Sequence, residues 1–454
     1  CWPTCPANRK EVAVDTSTSK LELAYEELRA AILARRYEAG DHLVESEVAS
    51  QLGISRPTVR GVFVRLAQDE FVVREPYRGV RVRRCTPAEA VNAYEAREVL
   101  EGFAAFVAAE HATAQDIEVL ADSVEHMEAA HLREDAAAVL DESRRFHDTV
   151  LRAANRPVIA SFLRSIQYPM AMFAFTRSSN TASRARTIAE HAAILACLRA
   201  HDRAGAEEVM RNHTAARDAR AWYGLDAPAA WACSAGNEQP LSGNEDDSAF
   251  KHGCEQLRTF ILDGYYARGQ RLTELQLTRQ LNVSRPTLLA VLLRVEQENF
   301  LLRRPHRRAQ VRSFTPLDVQ QLWQARAIVE AGCAGLAAVR ASDGELMQLQ
   351  GLVESMAVTH QAADRAGYAA LSRLFHGAIL GAAKQPVFAK FLRSISYPSL
   401  VVQHRNGGDP IVRAASLAEH QAILACIRIK DPAGAEEVMR KHMLSADPGL
   451  PPAN

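Results

Sequence analysis

The sequence predicts a mainly α-helical protein built from two tandem copies of one two-domain unit. The 454 residues are 48% hydrophobic and 24% charged with only 6% aromatic, a composition typical of a soluble and largely helical chain. The second half restates the first at a constant shift of 229 residues without a gap. Each half contains a helix-turn-helix pattern with a short β segment, then long amphipathic helical stretches. We therefore predict a winged helix-turn-helix (α with a small β wing) followed by an all-α helical bundle, twice.

The internal repeat sets the domain organisation. PVIASFLRSIQYP from Pro157 returns as PVFAKFLRSISYP from Pro386. Solenoid and propeller repeats have periods of only about 20–50 residues, so a repeat of this length is a duplicated multidomain unit. A segment rich in Gly, Pro, Ser and acidic residues separates the copies and is typical of a flexible linker. The predicted domains are 19–85 (winged helix, copy 1), 86–221 (helical bundle, copy 1), 222–249 (linker), 250–314 (winged helix, copy 2) and 315–446 (helical bundle, copy 2).

Overall charge and hydropathy exclude several classes of protein. Fifty-four basic residues balance 54 acidic ones, so any nucleic-acid surface must come from local clustering. No apolar run approaches the roughly 18–20 residues that span a bilayer, and the N-terminal residues lack the apolar core of a secretory signal. Eight cysteines scattered through the chain are typical of reduced thiols. We expect a cytoplasmic protein with no membrane partner.

The first module of each copy carries the signals of a helix-turn-helix. In copy 1, LELAYEELRAAILARR has apolar residues at helical spacing, and a second short helix is predicted from Glu45 to Leu52. Gly53 suits a tight turn between helices, Ser55 is a favourable N-cap, and Pro57 lies in a first turn where its missing N–H costs nothing. The spacing predicts a recognition helix from about Arg56 to Asp69.

A basic β segment follows the recognition helix. Residues 71–84 alternate like two short strands around a Pro/Gly turn, which is the pattern of a wing. Arginines cluster in this part of a neutral chain, and such a cluster can neutralise phosphates and reach guanine edges. A solvated basic face is the alternative, which the adjoining helix-turn-helix makes less favourable. The clustered arginines are Arg56, Arg60, Arg65, Arg74, Arg78, Arg81, Arg83 and Arg84.

The first module resembles a known DNA-binding domain. Tyr25-x-x-Leu-Arg-x-x-Ile32, the Ser-Arg-Pro-Thr-Val-Arg stretch and the wing with Gly79 resemble the N-terminal winged helix of GntR-type bacterial transcription regulators. The resemblance implies that Arg56 and Arg60 contact double-stranded operator DNA and that Gly79 is the wing glycine. The predicted DNA-binding residues are Ser55, Arg56, Thr58, Arg60, Arg78, Gly79 and Arg81 in copy 1, and Ser284, Arg285, Thr287, Arg307 and Arg308 in copy 2.

The DNA-binding module of copy 2 departs from this pattern. Leu289 replaces Arg60, and Arg308 replaces Gly79. A leucine cannot donate to a base or a phosphate, and losing one good bidentate base contact removes about 1–3 kcal/mol of discrimination. We expect the second module to bind the DNA backbone more than the base sequence.

Histidines at three positions of the helical module are candidates because they recur in copy 2, whereas His111, His126 and His201 do not. Imidazoles from separate helices that converge inside a bundle commonly build a metal site, because neutral imidazole binds zinc, nickel, iron or copper. Individually satisfied core or surface histidines are the alternative. We predict one divalent metal, such as zinc or nickel, per helical bundle, held by His147, His191 and His213 in copy 1 and by His376, His420 and His442 in copy 2.

The helical module resembles the C-terminal effector domain, FCD, of the FadR branch of the same family. The matching pattern in copy 1 is Arg97-x-x-x-Glu101, Phe146-His147, Glu190-His191 and Met210-x-x-His213, and it recurs in copy 2. The resemblance implies a small organic acid as effector. The candidate arginines for this effector are Arg97, Arg184, Arg326 and Arg413.

One position departs from the metal-binding pattern of this family. Metal-binding members carry Asp or Asn one helical turn before the first histidine, and that position is Ser143 in copy 1 and Ser372 in copy 2. A serine hydroxyl is a poor metal ligand unless it is deprotonated. The departure predicts a three-His site whose remaining positions are taken by water or an effector oxygen, and an affinity for metal weaker than in relatives.

These patterns together predict a repressor or activator that binds operator DNA and responds to a small carboxylate. Relatives act as homodimers, so the two copies are expected to form an intramolecular pseudo-dimer on an asymmetric operator, with further homodimerisation of the chain still open. In one alternative, a degenerate copy serves only as a structural partner or sensor. A three-His metalloenzyme is less favoured, because no retained carboxylate is placed as a general base. We therefore expect no enzymatic activity.

Overall fold

The winged helix-turn-helix of copy 1, here called head 1, has three helices and one small sheet. The computed structural model describes residues 20–75, 79–166, 180–216, 246–298, 300–302, 309–395 and 410–445. The sheet is antiparallel with strand order β1-β3-β2. The elements are α1 (Lys20–Leu33), β1 (His42–Leu43), α2 (Glu45–Leu52), α3 (Arg56–Gln68), β2 (Val72–Glu75) and β3 (Gly79–Val82).

Local signals in the sequence set the turn and the recognition helix α3. Gly53 ends α2 in the left-handed conformation, with φ +62°, which glycine adopts without steric cost. Ser55 caps α3 by accepting a hydrogen bond from the backbone N–H of Thr58 at 3.3 Å. Strands β2 and β3 form the predicted wing, with Val73 opposite Arg81. The two-residue strand β1, which the sequence pattern did not predict, adds a third strand to the sheet.

The helical module of copy 1, here called bundle 1, consists of helices and short connections in its described residues. Its first helix, α4, begins with a capping box in which Thr86 and Glu89 satisfy each other's backbone N–H groups. Residues on every face of α4 are buried, which is expected for a helix at the centre of a bundle. The helices are α4 (Pro87–His111), α5 (Ala114–Leu132), α6 (Ala136–Ala154), α7 (Pro157–Ser165), α8 (Thr181–Arg199) and α9 (Arg203–His213).

Copy 2 repeats this arrangement as head 2 and bundle 2, and the predicted fold class is confirmed. None of the helices in the described ranges is long and apolar enough to cross a membrane. The predicted linker 222–249 lies outside the described residues up to 245, and α10 begins at Asp246. The elements are α10 (Asp246–Leu262), β4 (Arg271–Leu272), α11 (Glu274–Leu281), α12 (Arg285–Gln297), β5 (Leu301–Leu302), β6 (Ala309–Val311), α13 (Pro316–Arg340), α14 (Asp343–Gln361), α15 (Arg365–Ala382), α16 (Pro386–Ser394), α17 (Pro410–Arg428) and α18 (Pro432–Ser445).

The two bundles pack against each other through one continuous apolar core. Helix α4 contacts α13 and α16 of copy 2, and α7 contacts α13. Phe162 and Phe391 occupy equivalent positions, and their rings meet edge to face with centroids 4.7 Å apart. A residue that meets its own counterpart marks a two-fold-related contact. The bundles therefore face each other around a pseudo-two-fold axis.

Two ion pairs across the interface obey the same pseudo-symmetry. Arg211 of copy 1 lies 2.5 Å from Glu436 of copy 2. Its counterpart Arg440 lies 3.2 Å from Glu207, the counterpart of Glu436. These four side chains form a charged cluster beside the shared apolar core.

We predict that Phe391→Ala destabilises the pair of bundles strongly. Phe391 is completely buried, whereas Leu132 is 83% exposed. Removing a buried phenylalanine ring costs about 3–5 kcal/mol, and Leu132→Ala, the control, should change stability by less than about 0.5 kcal/mol. Denaturant unfolding followed by circular dichroism measures both. Equal midpoints for the two variants would show that the phenylalanine contact contributes nothing.

Candidate metal sites and nucleic-acid interface

Three histidines on three helices converge inside bundle 1. His147 lies on α6, His191 on α8 and His213 on α9, and each offers a ring nitrogen within 4.8 Å of those of the other two. The Nε2 atoms of His147 and His213 are 3.2 Å apart. All three side chains are buried. The convergence predicted from the sequence is therefore present in copy 1.

The outer nitrogen of each imidazole has an oxygen atom within 2.8 Å. His147 Nδ1 lies 2.8 Å from Glu101 Oε2, and His213 Nδ1 lies 2.7 Å from Glu190 Oε2. His191 Nδ1 lies 2.7 Å from the carbonyl oxygen of Thr187. An acceptor at Nδ1 places the ring proton there and leaves the Nε2 lone pair facing the centre. Three imidazole nitrogens thus lie close together in bundle 1, an arrangement that a bound cation would stabilise.

Bundle 2 repeats the cluster with the equivalent residues. His376 Nε2 lies 3.4 Å from His420 Nε2 and 3.3 Å from His442 Nε2. The outer nitrogens again meet carboxylates, His376 Nδ1 at 2.5 Å from Glu330 and His442 Nδ1 at 2.7 Å from Glu419. The second copy therefore keeps the histidines and the carboxylates that orient them.

Burial and neighbouring charges favour the neutral form of His191 and His420 and the ionised form of Glu101 and Glu330. Burial lowers the pKa of His191 and of His420 well below its ordinary value, and the adjacent histidines lower it further. Burial alone would raise the pKa of Glu101 and Glu330, but in each case the arginine four residues earlier and the contacting histidine outweigh it and hold the pKa well below its usual range. Neutral imidazoles beside fixed carboxylates favour a bound cation.

The donor set fits a late divalent metal. Three imidazole nitrogens match the protein ligands of many open zinc sites, in which water or a ligand completes the coordination. Ser143 Oγ lies 3.3 Å from His191 Nε2, so the departure from the family pattern places a hydroxyl beside the cluster. Because this hydroxyl is a poor ligand, the three nitrogens are the donors that these residues supply.

The predicted effector arginines fall into two kinds. Arg97 Nε donates to Glu101 at 2.8 Å, and Arg326 Nε donates to Glu330 at 2.5 Å, so both act on carboxylates that orient histidines. Arg184 and Arg413 are only 5% and 4% exposed. Each lies two turns before the central histidine of its cluster, on the buried face of the same helix.

The carboxylates behind the histidines were not assigned a role from the sequence. Their signal was present, because each is retained in the second copy together with its histidine. A search for acidic residues retained with the histidines would have selected them as candidate hydrogen-bond acceptors. They are Glu101, Glu190, Glu330 and Glu419.

Head 1 presents two arginines at the start of its recognition helix. Arg56 and Arg60 are exposed, and Arg60 Nε donates to both oxygens of Glu45 at 3.0 and 2.9 Å. Gly79 has φ +89°, and a Cβ there would lie 2.8 Å from His42 Nε2. A side chain at this position of head 1 would be strained by the positive φ and would displace the His42 ring.

Other arginines of the basic cluster serve the fold of head 1. Arg65 pairs with Glu22 and stacks over the ring of Tyr25, and Arg81 donates to the carbonyl oxygen of Gly40 at 3.2 Å. Ser55 and Thr58 share a hydrogen bond of 2.8 Å at the helix cap. The predicted DNA contacts that lie outside the described residues are Arg78, Arg307 and Arg308.

Head 2 keeps the helix cap but changes the surface. Ser284 Oγ accepts from the backbone N–H of Thr287 at 3.3 Å. Leu289, at the position of Arg60, is 38% exposed. Glu274, the counterpart of Glu45, instead lies 3.2 Å from Arg285 Nε. The same acidic position thus pairs with a different arginine in each head.

A winged helix-turn-helix with exposed arginines, joined to a helical bundle with a buried polar cluster, defines a class of DNA-binding regulators with a sensing domain. The chain matches the family of bacterial regulatory proteins named gntR at residues 21–82 and 254–311, and the FCD domain at residues 92–216 and 321–445. The protein belongs to the GntR family of transcription regulators, with two helix-turn-helix and FCD units in tandem.

Curated relatives carry regulator names. A chain from Agrobacterium vitis, an uncharacterised HTH-type transcriptional regulator of the TAR-I ttuE-ttuC' intergenic region, is 33% identical over 149 residues, 32% of this chain and 87% of that one. The regulator McbR of Escherichia coli K12 is 24% identical over 182 residues, 39% of this chain and 82% of that one. A solved structure of E. coli McbR/YncC, 20% identical with a TM-score of 0.42, covers 46% of this chain and all of its own. Each match extends over less than half of this chain.

We predict that Glu101→Gln weakens metal binding at bundle 1. Loss of the carboxylate removes the acceptor that orients His147, and such changes typically reduce metal affinity about 10–100-fold. Zinc titration by calorimetry should show one weakened and one unchanged site per chain. The control is Asp141→Asn, because Asp141 is 72% exposed and pairs only with Arg144 among the described contacts. Equal zinc affinities for the two variants would remove Glu101 from the site.

Proposed function

We propose that this regulator controls its operator affinity through a small carboxylate bound at a three-His metal site in each bundle. The observation that carries the proposal is the convergence of three imidazoles in both copies, with carboxylates behind two of the three histidines. Zinc or nickel suits this donor set. A bound divalent metal would supply open coordination positions to a carboxylate oxygen.

The residues around the histidine cluster have separate proposed roles in metal binding and effector binding. The carboxylates of Glu101 and Glu190 lie beside Nδ1 of their histidines and favour the proton there, which would leave Nε2 as the ligand atom for a metal. Arg184, buried on the helix that carries His191, is the proposed partner for the second oxygen of the effector, since arginine binds carboxylates through two parallel hydrogen bonds. Glu101 and Glu190 both contact histidines of the cluster, so neither is placed to act as a general base. This disfavours a metalloenzyme.

The contacts between the bundles support an intramolecular pseudo-dimer. One chain would then hold both heads at a defined separation, and only one separation fits two half-sites on the same face of DNA. A carboxylate that favours a different arrangement of the bundles would lower operator affinity by shifting the population of the chain. Further association of two fused chains is measured by the mass of the protein in solution.

The differences between the heads support an asymmetric operator. Head 1 has two exposed arginines at the start of its recognition helix, whereas head 2 has Arg285 and Leu289 at the same two positions. We propose that head 1 reads the bases of one half-site and that head 2 contributes mainly backbone contacts.

The first test is the metal content and mass of the purified chain, before and after a chelator. We expect about two metals per monomeric chain, and release of operator DNA by small di- and tricarboxylates only while the metal is present. Elemental analysis, light scattering and fluorescence anisotropy measure the three quantities. A chain without metal after chelator-free purification would overturn the proposed sensing mechanism and leave the family assignment intact.

A second test concerns the heads. Arg60→Leu, which copies head 2, should weaken operator binding about 5–150-fold, the equivalent of one lost base contact of about 1–3 kcal/mol. Arg285→Ala should cost less, and Arg133→Ala, an exposed position of bundle 1, should have no effect. Equal losses for the Arg60 and Arg285 variants would contradict the asymmetry.

The same protein–DNA complexes also distinguish the proposal from the alternative in which copy 2 is degenerate. Hydroxyl-radical footprinting should show two protected half-sites about one helical turn apart if both heads bind. A single protected half-site would favour the alternative in which copy 2 is only a structural partner or sensor.

A further inference from the structure

The polar contacts on the two sides of the pseudo-two-fold axis are not the same. On one side, Glu95 of copy 1 accepts from Arg340 Nη2 at 2.5 Å and from Gln385 Nε2 at 2.6 Å, both in copy 2. The side chains of Glu95 and Arg340 are only 3% and 7% exposed. This side therefore contains a buried ion pair between the copies.

The equivalent positions on the other side have different chemistry. Gln324 is the counterpart of Glu95, His111 is the counterpart of Arg340, and Arg156 is the counterpart of Gln385. Arg156 Nη2 donates to Gln324 Oε1 at 3.3 Å, and its Nη1 donates to the carbonyl oxygen of Ala154 within its own copy at 3.2 Å. The residue at the position of Arg340 is exposed. A carboxylate between the copies is thus required on one side only.

We infer that the pairing face of bundle 2 is specific for a face that carries a buried carboxylate at the position of Glu95, namely that of bundle 1. A pair of two bundles 2 would place each Arg340 against a Gln324, so two buried guanidinium groups would lack a carboxylate. Removing one partner of a buried ion pair is strongly destabilising, and such an unpaired charge selects against the wrong partner. The inference deepens the proposed pseudo-dimer and rests on it.

A pair of two bundles 1 is not excluded by the same argument. Glu95 would then face Arg156 and His111, and the arginine supplies a positive charge. The selectivity therefore comes from bundle 2. Its pairing face disfavours a second bundle 2, and it also disfavours the bundle of any single-copy relative that lacks a carboxylate at this position.

The test moves the carboxylate between copies in the full-length chain. Three variants, Glu95→Gln, Gln324→Glu and the combination of both, are compared with the parent by thermal unfolding and by light scattering over a range of concentrations. Glu95→Gln should lower the unfolding midpoint by at least about 5 °C, because Arg340 loses its carboxylate. Gln324→Glu, the matched control, should shift the midpoint by less than about 2 °C, because Arg156 receives the new charge.

The combined variant reports on partner choice directly. It gives bundle 2 both the carboxylate and the arginine, so two bundles 2 from different chains can now satisfy each other on both sides, whereas the intrachain pair is satisfied on one side. We expect its mass to rise with concentration from one chain to two, while each single variant keeps the parental mass. Equal midpoints for the two single variants, or a combined variant with parental mass and midpoint, would overturn the inference.

The parental mass separates this inference from the proposed function. A parent of two chains at all concentrations would mean either that the bundles pair between chains or that two intramolecular pairs associate. The comparison of Glu95→Gln with Gln324→Glu would still test selectivity, because bundle 1 of one chain and bundle 2 of another make the same contacts.

Discussion

Helix α4 is buried on all of its faces, and both the candidate metal site and the contact between the copies depend on it. Glu101 on this helix orients His147, and Glu95, less than two turns earlier, receives Arg340 from the other copy. A change in the position of α4 would therefore reach both sites. Because protein interiors are close-packed, such a helix moves as a unit between discrete arrangements. This gives the proposed signal a physical route from the bundle core to the interface.

The features that could be predicted from the sequence are those with local or repeated signals. Gly53, Ser55 and Pro57 mark the turn and the recognition helix by their own conformational preferences, and the retained histidines marked a cluster because duplication kept all three. The contacts that the arginines of head 1 make could not be predicted from the sequence. Arg65 and Arg81 bind partners about forty residues away in sequence, Glu22 and the carbonyl group of Gly40, and only the folded chain brings these groups together.

The two copies share their buried histidine clusters but differ at exposed positions of their heads, and both facts have physical reasons. The buried clusters are nearly identical, since three imidazoles and their acceptors lose their fit when any one changes. The heads have diverged at exposed positions, where a substitution such as leucine for Arg60 leaves the fold intact and alters only what the surface can bind. The buried cluster residues of the bundles are thus retained, whereas exposed positions of the heads have changed.

The carboxylate that stands on one side of the axis has a genetic consequence. In a dimer of identical chains, every mutation appears on both sides at once, so a charge on one side alone cannot arise. In the fused chain, Glu95 and Gln324 are encoded by separate codons and can change independently. In a dimer of identical chains the two halves of the interface must change together, whereas in the fused chain they can change separately. Once they differ, each half pairs correctly only with the other, so the two must be inherited together.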